Sequence, residues 1–214
     1  MNDGFPQLQP GQRAAIVGRN GTGKSWLARW LAQRSRLGPW VVINPKATET
    51  FATFGRRITT VDPGRILQMI GRGENVNWVP PVRLATASVM DAMIGDLCDR
   101  ARNFGIVIDE AYTLHNHAQA GSGLTGLLTR GRELRQSAII CTQRPAWVSR
   151  FVFSESNYIA AMDLSLEVDR KTLAEATGNE LFYERVRARH AWLWYDVAED
   201  RTEAYEPVPL TNLK

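Results

Sequence analysis

Gly18-Arg19-Asn20-Gly21-Thr22-Gly23-Lys24-Ser25 is an unbroken G-x-x-x-x-G-K-[ST] run. Its spacing carries chemistry. Glycines let the backbone curl so that successive N–H groups point at phosphate oxygens. The lysine reaches the β- and γ-phosphates, and the serine hydroxyl sits on Mg2+. The run reads as a nucleoside triphosphate site with ATP as substrate and Mg2+ as cofactor. Gly18, Asn20, Gly21, Thr22, Gly23, Lys24, Ser25 and Trp26 contact the nucleotide in this reading.

Two further clusters belong to the same chemistry. Ile106-Val107-Ile108 is an apolar run that ends in Asp109-Glu110. A strand buried on both faces does not end in two carboxylates unless something there uses them. Downstream of a phosphate loop the pair reads as a Walker B motif, with Asp109 and Ser25 on Mg2+ and Glu110 polarising the attacking water. A glutamate beside the metal acid suits hydrolysis better than a simple nucleotide switch. Thr142-Gln143-Arg144-Pro145 follows another apolar run. An amide at a strand tip stands where open α/β sheets bind ligands, so Gln143 contacts the γ-phosphate or orients the water.

These groups need strands and helices to hold them. Ala14-Ala15-Ile16-Val17 suits a buried strand, and Trp26, Leu27, Trp30 and Leu31 recur at helical spacing until Gly38-Pro39. Strand, glycine loop and helix N-terminus together bind anions through orphan N–H groups and the helix dipole. Further strands are expected at 40–43, 58–61, 76–79, 105–108, 138–141, 158–164 and 191–197, with helices at 88–102 and 169–177. Apolar runs alternating with helical patterns predict a RecA-like α/β P-loop fold, mainly parallel, flanked by helices. Antiparallel strands are expected near the C-terminus.

The 214 residues, 44% of them apolar, are read as one domain over 1–214, with its core at 12–207 and a polar tail at 208–214. The whole stretch from Glu203 reads as polar and proline-containing. No run of 18 apolar residues predicts a transmembrane segment, and the first ten residues lack the pattern of a signal peptide. Cys98 and Cys141, the two cysteines, read as packed, reduced thiols. A net charge of +4 permits a polyanionic partner without demanding one.

Phosphate loop, apolar-Asp-Glu and strand-Thr-Gln-Arg-Pro, in that order, resemble the FtsK/HerA superfamily of DNA-translocating ATPases. Ile43-Asn44-Pro45-Lys46 is similar to the Asp-Pro-Lys of FtsK-like motors, with Asn44 in place of the acid. Asn157-Tyr158-Ile159, Asp169-Arg170-Lys171-Thr172-Leu173 and Gly178 match the segment after the sensor strand. A stand-alone motor of this length looks like the genome-packaging ATPases of tailless, membrane-containing icosahedral double-stranded DNA viruses. That resemblance implies a ring homo-oligomer, a pentamer or hexamer, that drives double-stranded DNA without sequence specificity into a preformed capsid. It implies capsid vertex or portal partners and a place in the host-cell cytoplasm or at a capsid vertex. It also implies that Gln143 senses loss of the γ-phosphate and that an arginine finger comes from a neighbouring subunit. Arg132, 11 positions before Gln143, is the first choice, with Arg135 and Arg130 next; the other reading of these three is a solvated basic helix face.

Other readings stay open at this level. Arg144 either bridges subunits or pairs with a carboxylate. The segment 115–123 is a DNA-contacting pore loop or an ordinary surface loop, and His115 and His117 lack further zinc ligands nearby. Most of the tryptophans read as core and subunit contacts. The function itself has two alternatives: a cellular or conjugative FtsK/HerA-type translocase, and a nucleotide-dependent assembly switch that moves no DNA.

Overall fold

The structure, a computed structural model, describes residues 5–114 and 120–208. Strand β1 (Arg13–Val17) leads through the phosphate loop into α1 (Lys24–Arg34) and β2 (Trp40–Ile43). Then come β3 (Arg56–Ile58), α2 (Pro63–Gly71), β4 (Val76–Trp78) and α3 (Ala87–Arg100). The acid-bearing β5 (Gly105–Ile108) is followed by α4 (Ser122–Arg130) and β6 (Ser137–Thr142). The short α5 (Phe151–Ser154), β7 (Tyr158–Ala161), α6 (Glu167–Thr177), β8 (Trp192–Asp196) and β9 (Arg201–Tyr205) complete the described chain.

All nine strands join one sheet in the order β3-β4-β2-β5-β6-β1-β7-β8-β9. Pairing from β3 through β7 is parallel, and β8 and β9 are added antiparallel, as expected for the C-terminal end. The register aligns Ile43 with Ile108, Ile108 with Ile140, and Val17 with Thr142. The C-terminal ends of β2, β5, β6 and β1 therefore stand side by side at one edge. The chain leaves β1 toward β2 on one side and later returns from β6 to β7 on the other. Such a reversal opens a crevice at the strand tips where ligands bind.

The period-two alternation of a strand sorts its side chains into two cores. Ala14, Ile16, Val42, Val107, Ile139 and Cys141 pack beneath Leu27, Ala28 and Leu31 of α1. Ala15, Val17, Ile43, Ile106, Ile108 and Ile140 face the other way, onto Met90, Met93, Ile94 and Leu97 of α3 and Leu124, Leu127 and Leu128 of α4. Burial of five strands on both faces explains why their sequences read as continuous apolar runs. Five of the seven tryptophans (Trp30, Trp40, Trp78, Trp192, Trp194) lie in these cores. Burial pushes the Cys98 thiol up to about 12 and the Cys141 thiol well above its ordinary value, in keeping with inert, packed thiols.

Several elements differ from the sequence expectation. The third strand is Arg56–Ile58 and not 58–61, because Asp62 caps α2 by accepting from the Gly64 N–H at 2.9 Å, with Pro63 opening the helix. Within the loose stretch 115–123, residues 115–119, with His115 and His117, lie outside the described residues. Ser122 and Gly123 already belong to α4, whose first N–H groups at Gly123 and Leu124 donate to Asp91 of α3 at 3.0 and 2.9 Å. Glu203 is not tail but strand: β9 runs to Tyr205, whose ring stacks on Trp192 at 4.5 Å. Being an edge strand, β9 is solvated on its open side, so polar residues hide its pattern. Residues 209–214 of the expected tail lie outside the described residues. No helix among the described residues is long and apolar enough to cross a membrane.

Candidate active site

The phosphate loop springs from the C-terminal end of β1. Gly21 and Gly23 adopt φ of 76° and 101°, the left-handed region that favours glycine. Gly18 is glycine for space: a Cβ there would stand 2.8 Å from Met162 Cβ. Thr22 Oγ1 donates to the Arg19 carbonyl at 2.8 Å, and Lys24 Nζ donates to the same carbonyl at 3.1 Å. Lys24 is buried, and burial is the main cause that lowers its pKa. No side chain caps α1, which leaves its N-terminal N–H groups directed at the loop.

Asp109 and Glu110 follow β5 two strands away, and both are buried. Asp109 holds two hydroxyls: Ser25 Oγ donates to Oδ1 at 2.6 Å and Thr48 Oγ1 to Oδ2 at 2.8 Å. A serine hydroxyl and one carboxylate form the hard-oxygen pair that fits Mg2+, which takes its remaining ligands from water and phosphate. In agreement, the described residues contain no group of three or more His, Cys, Asp and Glu side chains that could cage a metal. Glu110 Oε1 accepts from Lys46 Nζ at 2.7 Å, and Lys46 also lies 5.5 Å over the Tyr112 ring. Burial works against the Lys46 charge, but hydrogen bonds with Glu110 and Tyr112 raise its pKa.

Gln143 stands at the tip of β6, between the other two clusters. It lines a cavity of 280 Å3 together with Arg19 and Asn20 of the phosphate loop. Arg144 takes the carboxylate alternative within its own chain. Its Nε donates to the buried Asp169 at 2.9 Å, and its guanidinium lies 4.0 Å over Trp147. The structure thus brings together the phosphate loop, Asp109, Glu110 and Gln143 at one sheet edge. It does not bring Arg130, Arg132 or Arg135 there. Arg130 ends α4 and pairs with Asp99 at 3.2 Å; Arg132 and Arg135 are exposed in the turn that precedes β6. That turn meets the N-terminal ends of the strands, with the Arg132 carbonyl close to Gly11. None of the three can serve the phosphate loop of its own subunit, and Arg132 and Arg135 are on a turn and not a helix face.

Four residues at this edge were not assigned from sequence. Thr48 and Lys46 reach the acids from the loop after β2, which the buried Asn44 shapes: its Oδ1 accepts from the Thr48 N–H at 2.8 Å. Asn44 replaces the expected acid but still does a loop-building task. Asp163 braces the phosphate loop by accepting from Arg19 at 2.8 Å and from Arg185 at 2.7 and 2.8 Å. His190 Nδ1 donates to the Thr22 carbonyl at 3.0 Å. Arg185 and His190 lie in the only arginine-alternating stretch, Arg185-Val186-Arg187-Ala188-Arg189-His190, and that signal was available. Beside the loop, a cavity of 280 Å3 is lined by Thr22, Gly23, Trp26, Met162, His190, Pro207 and Val208.

The Asp163 brace has a testable pH signature. The Arg185 guanidinium, seconded by Arg19, holds its carboxyl at about 2 against the effect of burial. A depressed pKa stabilises the fold above the ordinary carboxylate value and loses that contribution as pH falls toward the folded value. Asp163→Asn is expected to be less stable than wild type at pH 7, with the difference shrinking between about pH 4 and pH 2. Urea unfolding across that range measures it; a difference independent of pH would show that the ion pairs contribute nothing.

No protein-family profile matches the chain. The DNA packaging ATPase P9 of Enterobacteria phage PRD1 is 26% identical over 214 residues, covering 94% of this chain and 89% of that protein. The genome packaging NTPase B204 of Sulfolobus turreted icosahedral virus 2, solved with AMPPCP, superimposes with a TM-score of 0.76 at 17% identity. It covers 94% of this chain and 99% of that one. B204 of Sulfolobus turreted icosahedral virus, a DNA-packaging ATPase, gives a TM-score of 0.73 at 18% identity, with 94% and 100% covered. With its strand order, its phosphate loop and these likenesses over nearly its whole length, the chain is a P-loop NTPase of the FtsK/HerA type, similar to viral genome-packaging ATPases.

Proposed function

We propose that the chain is an ATPase that uses hydrolysis to drive double-stranded DNA into a viral capsid. One observation carries this reading: a triphosphate loop, a buried acid pair and a strand-tip glutamine meet at one sheet edge, in a chain that aligns over 94% of its length with a phage DNA packaging ATPase. Backbone N–H groups of residues 20–24 cradle the phosphates, Lys24 neutralises the γ-phosphate, and Ser25 and Asp109 hold Mg2+. Bound there, the metal supplies charge neutralisation for the departing phosphate. Glu110 takes a proton from the attacking water, and Gln143 reports the γ-phosphate to the segment 144–169 through the Arg144–Asp169 pair. The cavity beside Trp26 and His190 takes the nucleobase, since an apolar wall with few polar groups suits a stacked ring.

Transition-state charge then calls for an arginine in trans, a contribution of about 10³–10⁵ in rate for such fingers. Arg132, Arg135 or Arg130 fits, because each faces away from its own loop and toward whatever a neighbour presents. This agrees with a ring homo-oligomer, pentameric or hexameric, docked on capsid vertex or portal proteins in the host-cell cytoplasm. A motor that moves on any sequence grips phosphates and ignores bases. The test is steady-state ATP hydrolysis at high subunit concentration, with and without long duplex DNA of mixed sequence. Stimulation by duplex regardless of sequence is expected; hydrolysis indifferent to DNA would leave the nucleotide switch.

A further inference from the structure

The loop after β2 contacts both Walker B acids, and it treats them differently. Thr48 gives Asp109 a neutral hydroxyl at 2.8 Å, whereas Lys46 gives Glu110 a full charge at 2.7 Å. The loop is firmly built at its base. Asn44 is fully buried, accepts from the Thr48 N–H and donates to the Thr48 carbonyl at 3.3 Å and to Asn77 Oδ1 at 3.2 Å. Ala47 is held at φ 51°, which costs a non-glycine residue energy and marks a loop whose shape is imposed by its surroundings. Lys46 is placed, then, and not merely near.

What this placement does to Glu110 follows from its two oxygens. Oε1 is occupied by Lys46. Oε2 is buried from solvent and has no hydrogen-bond partner among the described residues. A general base needs an accessible oxygen within hydrogen-bond reach of the water it deprotonates. In this conformation neither oxygen offers one. We propose that Lys46 is a positioning residue that restrains Glu110, holding the water-activating acid withdrawn until the ion pair opens; this rests on the proposed role of Glu110.

The restraint is of a kind that can be released. The Glu110 side chain is 8% exposed but the Lys46 side chain is 45% exposed, on a flexible four-carbon stem. An ion pair with one solvated partner is modest in strength, so another anion can draw the ammonium away. Release leaves Glu110 a buried carboxylate without its counter-charge, which favours a rotation toward the solvated phosphate site.

Lys46→Met keeps the stem and removes the charge. In the full chain without DNA, it is expected to raise kcat for ATP about fivefold, the factor a partly exposed ion pair is worth, with KM unchanged. Tyr112→Phe, which keeps the ring under Lys46 and removes its hydroxyl, is expected to raise kcat by a smaller factor. Lys46→Met combined with Glu110→Gln is expected to be as slow as Glu110→Gln alone, because the gain passes through that carboxylate. An unchanged or lowered kcat in both single variants, with normal thermal unfolding, would overturn the restraint. So would a double variant faster than Glu110→Gln. If Glu110→Gln itself hydrolyses ATP normally, it is the assignment of the base that fails, and the restraint with it.

Discussion

Glu110→Gln is expected to lower kcat for ATP by about 10³-fold while ATP affinity changes by less than about twofold. The substitution is close to isosteric, so the buried site keeps its shape, and only the ability to accept a proton is lost. Its partner is the complication. Lys46 now faces an amide at 2.7 Å and not a carboxylate, but its own side chain is 45% exposed and can turn to water. The fold should therefore tolerate the change, and thermal unfolding within a few degrees of wild type is expected. Single-turnover hydrolysis with radiolabelled ATP, beside titration with a fluorescent ATP analogue, separates chemistry from binding. A variant that binds and hydrolyses like wild type would remove Glu110 from the mechanism and leave Gln143 to orient the water.

The second large effect concerns binding. Lys24→Met is expected to weaken ATP binding by about 10²-fold, roughly 3 kcal/mol, because a charge-assisted contact with phosphate is lost in a buried setting. Fold stability is expected to hold. Lys24 makes a hydrogen bond with the Arg19 carbonyl, and its burial already disfavours its charge, so an apolar stem of equal length removes a desolvation cost along with a contact. Loss of binding together with intact urea unfolding identifies a phosphate contact. Equal ATP affinity in the variant would mean that the loop's N–H groups and the α1 N-terminus suffice. A large loss of stability would instead make Lys24 a structural residue of the loop.

Much of this site could be read from the chain because its parts are local. A glycine loop between a strand and a helix is defined by eight consecutive residues, and the Asp109-Glu110 pair by the apolar run before it. Strands buried on both faces announce themselves, and β1, β2, β5 and β6 lie where their apolar runs lie. Weak local signals were read less well. β3 is a three-residue edge strand, α2 depends on the cap at Asp62, and β9 is half solvated. The resemblance to FtsK/HerA motors added the order of parts, but Lys46 entered it only as a match and without a task.

By itself, then, the sequence determined that a triphosphate loop, an acid pair and a strand-tip glutamine exist, and that a mainly parallel sheet carries them. Their spacing sets backbone conformation within a few residues, and no distant contact is needed to see it. Only the tertiary structure decided which side chains meet across the sheet edge. Thr48 lies 61 positions from Asp109 and Lys46 64 positions from Glu110, and they meet because β2 pairs with β5. The same strand order sends Arg132 to the opposite edge from the phosphate loop, although it stands 11 residues before Gln143. Strand pairing sums many weak interactions over the whole chain, and so it shows in no single stretch of the sequence.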